Sequence, residues 1–532
     1  MLQAWIANAG KYYCQTRPGQ TDVCQISQAD EISSALADAA GETVSTVIVF
    51  DFKAWLKTHE AFAQLPLHKV FDVRCACYVH DPLQANETIE QCAEALKLEL
   101  PPDADSVENQ LEMLFQLYER LQSSMQENFI YQQIEMPLSP VLAAMETHGL
   151  ALDAASLRQF GDNLSSRTAS LAEEIYALAG EQFNLNSTRQ LSNILFEKLQ
   201  IASPGRKTKS GYSTDAETLE KIRHVHPIIE LLLQYRKLAK VNSTYVEGLL
   251  KYQQPDGRLH TTFNMFATAT GRLSSSAPNL QNLPSPGETG GEIRKFLTAG
   301  SNWVLIDADY SQIELRILAH MANDPVMIRA FKNQEDIHAV TAAQIFNVQP
   351  DEVTAEMRRK AKAVNFGIVY GISAFALGND LDIPQKEAQE YIKNYFQKYS
   401  AVKTYLDQTI KIAKQQGYVE TLFGRRRNLP ELQSKVFAVR SFGERAALNM
   451  PIQGTAADLI KLAMIKTAEN LQAANLQARL LLQIHDELLL AAPENEVDAA
   501  AEILRSCMEN IAELQVPLAV TLACGKNYLA VK

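Results

Sequence analysis

Apolar and polar positions divide the chain by period. Residues 1 to about 130 mix short apolar runs, such as Val47-Ile-Val-Phe50, with helical stretches such as Ser106 to Met125, the pattern of a small α/β domain. From Leu138 onward the pattern turns helical. Ala155 to Gly180 and Thr218 to Leu250 carry apolar residues at three- and four-residue spacing, interrupted by Ser203-Pro-Gly-Arg-Lys-Thr-Lys-Ser-Gly211. They predict a long antiparallel helix pair with a basic, mobile tip. The strand-like segments Leu259 to Phe266, Trp303 to Ile306, Leu480 to Ile484 and Val516 to Leu522 are separated by helices, so one sheet is expected to gather remote pieces. No internal repeat or low-complexity tract breaks this pattern.

Two carboxylates stand where such strands should be apolar. Asp309 follows the run Trp303 to Ile306, and Asp486 lies inside Leu480-Leu-Leu-Gln-Ile-His-Asp-Glu-Leu-Leu-Leu490. Burying an isolated carboxylate is costly, so each implies a compensating cation or basic side chain. An acid at a strand end can also be solvated or paired with Arg. The chemistry that needs two acids gathered from distant strands is phosphoryl transfer by two Mg²⁺ ions. Mg²⁺ takes one or two protein carboxylates and completes its shell with water and phosphate oxygens. Spacing alone does not choose between Asp309 and Asp307, which fall on the same face of a strand.

The segment Glu356 to Tyr370 adds a second signal. Arg358, Lys362, Phe366 and Tyr370 recur every four residues, so on an α-helix they drift along one broad stripe. Two cations can clasp a triphosphate while an aromatic ring stacks on a base or sugar. The competing arrangement sends the aromatics into the core and lets the cations snorkel.

Composition narrows the class. The chain is 46% hydrophobic with a net charge of −12, long enough for about three or four domains. No run approaches the roughly 20 apolar residues of a membrane span, and the start, Met1 to Gly10, has no basic stretch followed by an apolar core. A soluble, cytoplasmic protein without membrane partners is expected. The seven cysteines form neither a disulfide framework nor a paired zinc pattern, Cys75-Ala-Cys77 being the one close pair. The acidic total does not exclude a polyanionic partner, because local basic surfaces decide such binding. Candidates are Arg206-Lys207-Thr208-Lys209, Arg358-Arg359-Lys360-Ala361-Lys362 and Arg425-Arg426-Arg427.

Three stretches carry a family resemblance: Asp309-Tyr-Ser-Gln-Ile-Glu-Leu-Arg316, Arg358-Arg-Lys-Ala-Lys-Ala-Val-Asn-Phe-Gly-Ile-Val-Tyr-Gly371 and Gln483-Ile-His-Asp-Glu487. They resemble motifs A, B and C of the family A DNA polymerases. The similarity continues through Thr268 to Ser275, Pro278 to Pro284, Gly417 to Leu422 and Glu444 to Asp458, so it covers roughly residues 131 to 532. The resemblance implies an α/β multidomain right-hand polymerase. Its thumb would span about 138–255, its palm about 256–320 and 430–532, and its fingers about 321–429. It further implies a monomer that adds dNMP from dNTPs to the primer 3′-OH of primer-template DNA.

By motif match, Asp309 and Asp486 would bind two Mg²⁺ ions with the carbonyl of Tyr310, and Glu487 would be an accessory acid near the primer end. Arg358, Lys362 and His338 would contact the triphosphate, and Lys362 would also protonate the departing pyrophosphate. Phe366 would stack on the nucleotide and Tyr370 would flank the template side of the nascent pair. Gln312 belongs to the same nucleotide site, and Glu314 resembles the gate that excludes a ribose 2′-OH. Phe rather than Tyr at 366 implies strong rejection of 2′,3′-dideoxynucleotides. Arg272, Asn279, Gln281, Arg445, Asn449, Gln453 and His485 resemble DNA contacts, where donors can test pair geometry through minor-groove acceptors common to all correct pairs.

Residues 1 to 130 depart from proofreading relatives, because they contain no Asp-x-Glu and no Tyr-x-x-x-Asp. Val70 to Tyr78 and Phe50 to Trp55 still resemble the 3′→5′ exonuclease scaffold. The expectation is a vestigial, RNase H-like exonuclease domain over 1–130, inactive and structural in role. Pro286 stands where relatives often place an Arg, which implies lower processivity. The 5′-nuclease domain of full-length relatives is not part of this sequence. Two other readings compete: a single-subunit RNA polymerase, against which Glu314 argues, and a non-catalytic DNA-binding scaffold, against which the intact Asp309, Asp486, Arg358 and Lys362 argue.

Overall fold

The computed structural model describes residues 2–8, 11–17, 23–26, 44–58, 60–203, 205, 211–285, 287 and 290–532. The chain forms two compact units. The first comprises Met1–His148, Phe263–Ser275 and Ile306–Ala523, and the second Gly149–Thr262, Ser276–Leu305 and Cys524–Lys532. The basic tip Arg206 to Lys209 and Pro286 lie outside the described residues.

In the first unit, strands β1 (Leu2–Asn8), β2 (Lys11–Arg17), β3 (Cys24–Ile26), β4 (Thr46–Val49) and β5 (Val70–Asp72) form a sheet in the order β3-β2-β1-β4-β5. The first three pair antiparallel, whereas β4 and β5 join in parallel. Helices α1 (Phe52–Thr58), α2 (Val73–His80) and α3 (Val107–Met125) pack here, and Trp5, Val47, Ile48, Phe62 and Leu114 are buried among them. This is the small α/β region the sequence pattern predicts. Asp72, at the end of β5, caps α2 through Cys75 N–H and also accepts from the N–H groups of Asp51 and Phe52. Its burial pushes the carboxyl up to about 6. Cys75 and Cys77 are buried in α2, and burial drives the Cys75 thiol upward, so it serves as a small apolar side chain rather than a metal ligand. Helix α4 (Met136–His148) follows a widened turn, Ile130–Glu135.

The second unit carries an antiparallel sheet of β6 (Leu150–Leu152), β7 (Arg258–Leu259) and β8 (Leu297–Thr298), in the order β8-β6-β7. Helix α5 (Ala154–Ala179) starts where Asp153 accepts from Ser156 N–H and stops at Gly180, whose φ is 73°. Its partner is α6 (Pro227–Lys240). Ile175 and Ala179 share a buried cluster with Ile228, Ile229 and Leu232, while Gly161 lies against Asn242 and Val246, so the pair is antiparallel as expected. The continuous run expected from Thr218 to Leu250 is instead two pieces, Ala216–Lys221 and a helical stretch from Pro227 to Tyr252 that widens over Val241–Glu247. Pro227 enforces the break, because it lacks an N–H and disfavours helix in the preceding residue.

The remaining strands, which lie wholly or for the most part in the first unit, are β9 (Trp303–Tyr310), β10 (Tyr418–Glu420), β11 (Arg426–Asn428), β12 (Arg479–Ile484), β13 (Glu487–Pro493) and β14 (Val520–Gly525). Four of these make the sheet β12-β13-β9-β14, assembled from remote pieces as predicted. Two strand expectations need correction. Leu259 to Phe266 contributes nothing to this sheet, because polar His260-Thr261-Thr262 splits it into β7 and a short strand, Thr262–Asn264, that pairs with Ser274–Ser276. Val516 to Leu522 starts its strand only at Val520, beyond Pro517, which cannot donate to a ladder. Helices α7 (Ile313–Ala322), α8 (Ile337–Phe346), α9 (Ala355–Val369) and the 37-residue α10 (Phe437–Ala473) complete the unit. No helix among the described residues is long and apolar enough to cross a membrane.

Arg425, expected at a basic surface, is buried. Its Nη2 lies 2.5 Å from Glu135 Oε1 and its Nε 2.7 Å from Asp458 Oδ1, and Lys461 Nζ lies 2.7 Å from Glu135 Oε1. Thr421 Oγ1 donates to Asp458 Oδ2 at 2.7 Å. Arg426 is exposed and pairs with Glu420, so of the Arg425 to Arg427 run it is Arg425 that serves the interior. Burial alone would raise Glu135, but Lys461 and Arg425 outweigh it and hold the carboxyl below its ordinary range. Arg425→Met would strand two buried carboxylates against one cation. It is expected to lower stability by about 3–5 kcal/mol, read as a lower urea midpoint; an unchanged midpoint would contradict this account of the cluster.

Candidate active site

The hairpin β12–β13 turns on His485 and Asp486, with Ile484 opposite Glu487 and His485 at φ 54°. On the neighbouring strand, Tyr310 N–H donates to Asp486 O at 3.2 Å, and Ser311 N–H donates to Ala519 O at 2.8 Å. The end of β9 is thus held from both sides, and Asp309 lands beside the turn that presents Asp486. The Tyr310 ring turns into the protein, where its hydroxyl donates to Met508 O at 2.7 Å. Asp307 is buried at 3% exposure, whereas Asp309 is half-buried. Burial raises the Asp486 carboxyl; Arg272 works the other way, and Glu314 and Glu487 add to the rise. Glu487 opens β13 and is buried.

Among the described residues, no group of three or more His, Cys, Asp or Glu is arranged to cage a metal ion. The donors that Asp309, Asp486 and the Tyr310 carbonyl offer are hard oxygens, few in number. That set fits Mg²⁺, which keeps several shell positions for water and phosphate, better than it fits zinc.

Gln312, with φ 46°, turns the chain from β9 into α7 and places Glu314 in the first helical turn. Glu314 is buried and accepts from Arg272 Nη2 at 2.8 Å and from Tyr370 Oη at 2.9 Å. Burial, with the Glu314 charge behind it, pushes the Tyr370 phenol up to about 12. Three residues singled out from separate stretches therefore meet in one network.

Helix α9 resolves the alternative left open by its spacing. Arg358 and Lys362 are exposed, Phe366 is half-buried and Tyr370 is 39% exposed, while Ala361, Val364, Asn365 and Ile368 face the core. The cation and aromatic stripe faces outward. Arg358 Nε lies 2.6 Å from Asp336 Oδ2, and Asp336 Oδ1 caps α8 through the N–H groups of His338 and Ala339. His338 is buried, its ring 5.8 Å from that of Phe366. The Asn365 amide nitrogen, which can only donate, lies 3.0 Å from His338 Nδ1, so Nε2 carries the imidazole proton. Burial lowers His338 to about 4, helped by Arg358 and Lys362 and opposed by Asp336. Asp336 and Asn365 were not among the residues singled out. Their signals were an Asp at a helix start and a lone amide on an apolar helix face.

On α10, Arg445, Asn449 and Gln453 lie four residues apart on one face, the first exposed and the others half-buried. Arg445 lines a cavity of about 630 Å³ with Phe366, Tyr370, Gly371, Ser441 and Leu448. His485 is exposed at its turn, and buried Gln483 donates to His485 O at 2.6 Å, a brace that sequence reasoning missed. Asn279 and Gln281 belong to the second unit, where Asn279 Oδ1 accepts from Gln281 N–H at 3.0 Å.

The family model described as DNA polymerase family A matches residues 154–530. The chain belongs to DNA polymerase family A. It is 50% identical over 405 residues to DNA polymerase I of Caldicellulosiruptor bescii, covering 76% of this chain and 48% of that relative. With DNA polymerase I of Geobacillus stearothermophilus it shares 45% identity over 487 residues, 87% of this chain and 56% of the relative. The chain therefore spans about half the length of these curated relatives. Among solved structures, the POL domain of Pol1 from M. smegmatis, in complex with DNA primer-template and dNTP, aligns with a TM-score of 0.90 and 36% identity, covering 99% of this chain and 95% of that one. The α/β multidomain polymerase fold expected from the family A motifs is the one observed.

The neutral His338 gives this family A site a measurable signature. Its imidazole NMR signals are expected to titrate with a midpoint near 4 rather than the ordinary 6.5. Its contribution to stability is complete above pH 6.5 and is lost as pH falls from there towards 4, because the unfolded chain takes up a proton that the native site refuses. A midpoint between 6 and 7 would contradict the assigned environment.

Proposed function

We propose that the chain is a template-directed DNA polymerase that joins dNMP units to a primer 3′-OH and does not proofread. The observation that supports this reading is the Tyr310 to Asp486 backbone bond, which joins the residue after Asp309 to the turn that carries Asp486 although the two are remote in sequence. In this reading Asp309, Asp486 and the Tyr310 carbonyl hold two Mg²⁺ ions, with Glu487 near the primer end. When bound, such ions activate the attacking hydroxyl and stabilise the departing oxygen.

The primer 3′-hydroxyl gives its proton to solvent, its oxygen attacks the α-phosphorus in line, the bond from that phosphorus to the bridging oxygen breaks, and pyrophosphate leaves. Arg358 and Lys362 hold the triphosphate, and Lys362 gives its proton to the pyrophosphate. Arg358 exchanges the carboxylate of Asp336 for phosphate oxygens, a trade between charge-assisted bonds of similar kind. His338, neutral with its proton on Nε2, donates to a phosphate oxygen without adding a charge that substrate release would have to overcome. Phe366 stacks on the incoming nucleotide, Tyr370 flanks the template side, and Gln312 and Glu314 line the sugar. Arg272, Asn279, Gln281, Arg445, Asn449, Gln453 and His485 contact the duplex.

Residues 1–130 act as a vestigial exonuclease domain; thumb, palm and fingers follow the boundaries given above. The protein works as a cytoplasmic monomer.

Extension of a labelled primer on a longer template with Mg²⁺ and dNTPs tests this reading. Wild-type protein is expected to extend, and Asp309→Ala and Asp486→Ala to lose about a hundredfold to a thousandfold in rate, as removal of a principal electrostatic group does. No extension by folded wild-type protein would move the chain to the scaffold reading. Incubation without dNTPs is expected to leave a single-stranded 3′ end intact; Mg²⁺-dependent shortening would sink the proofreading claim.

A further inference from the structure

We infer that the N-terminal α/β region is a positioning device for the nucleotide site: α1 and α2 hold the segment Phe263–Ser275 that carries Arg272, and so set the Arg272–Glu314–Tyr370 network. The inference rests on the reading of Glu314 as the group that screens the sugar.

Both ends of the stretch leading to Arg272 are held from this region. At its start, Lys53 of α1 donates to Phe263 O at 2.6 Å and lies 2.5 Å from Glu146, whose carboxylate also accepts from Phe263 N–H at 2.8 Å. Further along, Tyr78 of α2, 1% exposed, donates its hydroxyl to Thr268 O at 2.8 Å. Between these points the Phe266 ring lies 5.3 Å from the Tyr78 ring and 5.3 Å from the Arg74 guanidinium. Arg74 is itself fixed by Asp51 and by Asn86 O.

The hold is passed on within the turn. Thr268 Oγ1 donates to Arg272 O at 2.7 Å, tying the residue that Tyr78 grips to the backbone of Arg272. Gly271, at φ 85°, lies so close to Arg425 that a Cβ there would come within 2.5 Å of its Nε, so the turn cannot slide inward. Arg272 then reaches Glu314, which also accepts from Tyr370. A line of bonds runs from α2 through Thr268 and Arg272 to the carboxylate beside the sugar. If the hydroxyl of Tyr78 is lost, the turn that carries Arg272 gains freedom, and the Arg272–Glu314 pair is held less firmly.

Tyr78→Phe keeps the ring against Phe266 and removes only the hydroxyl bond. The readout is single-nucleotide incorporation, comparing kcat/KM for a dNTP with that for the matching rNTP, with Glu314→Ala measured alongside. Tyr78→Phe is expected to lower the dNTP preference about fivefold, the worth of one hydrogen bond, while its thermal midpoint stays within about 2 °C of wild type. Thr268→Val, which cuts the next link, should relax the preference similarly. The double variant should relax it no further than either single change, and Thr268→Ser should restore it. If Glu314→Ala leaves the preference unchanged, the sugar-screening reading falls and the inference with it. If Glu314→Ala relaxes it and Tyr78→Phe does not, the inference alone is overturned. Equal loss of kcat for both nucleotides with a lowered thermal midpoint would make Tyr78 merely structural, which also overturns it.

Discussion

Glu135, Arg425, Asp458 and Lys461 bring two positive and two negative charges into a place where water does not reach. Removing any one leaves an uncompensated buried ion, so the four act as a single lock on the elements that supply them. Those elements are the turn before α4, the loop between β10 and β11, and the middle of α10. Arg425 also forms the surface on which Gly271 lies, and the direction of the neighbouring Arg272 follows from it. The same helix α10 carries Arg445, Asn449 and Gln453 toward its N-terminal end. Much of the proposed DNA-facing chemistry is therefore referenced to four charges that touch no substrate.

Around the proposed catalytic acids, charge is arranged in pairs that hold the groups proposed to meet substrate. Arg358 rests on Asp336, Arg272 on Glu314, and Tyr370 on the same carboxylate. A long cationic side chain left loose would lose rotamer freedom on binding; one already parked needs only to exchange partners. The pairs differ in consequence. Arg358 and Asp336 are both substantially exposed, so that pair is weak and readily traded. Glu314 is buried, so its partners are kept. His338 completes the pattern by staying neutral between two cations, which makes it a donor without charge.

Much of the site was legible because its chemistry violates the apolar pattern. Carboxylates within the runs that became β9 and the β12–β13 turn had to mean something, and the four-residue spacing on α9 had to share a face. The missed features depend on partners that no local pattern reveals. Arg425, Arg426 and Arg427 look like a basic surface until Glu135, 290 residues away, is brought to Arg425. Asn365 looks like an ordinary helix residue until His338 arrives at 3.0 Å. The breaks at Pro227 and Pro517 were local and readable, and the periodicity there was extended past them. The His485-Asp486 turn carried no Gly or Asn to announce its positive φ, because the ladder on either side and the bond from Tyr310 impose it.

The border near residue 131, drawn where the motif resemblance begins, is a border of similarity and not of packing. The first compact unit runs through it without interruption, from Met1 to His148, and takes in Phe263–Ser275 and Ile306–Ala523. Tyr131 and Met136 belong to the same buried cluster as Trp5, Phe62 and Leu114, and Phe266 packs against that cluster. Tyr131 also accepts from Asp72 N–H at 2.9 Å, and the Phe129 ring stacks on Phe423 at 5.7 Å. The N-terminal α/β region thus buries side chains of the segments that carry Glu135 and Arg272. Its buried cluster runs on through Tyr131 to Met136 and receives Phe266, and that continuity lets a hydroxyl on α2 hold the turn from which Arg272 reaches the Glu314 carboxylate.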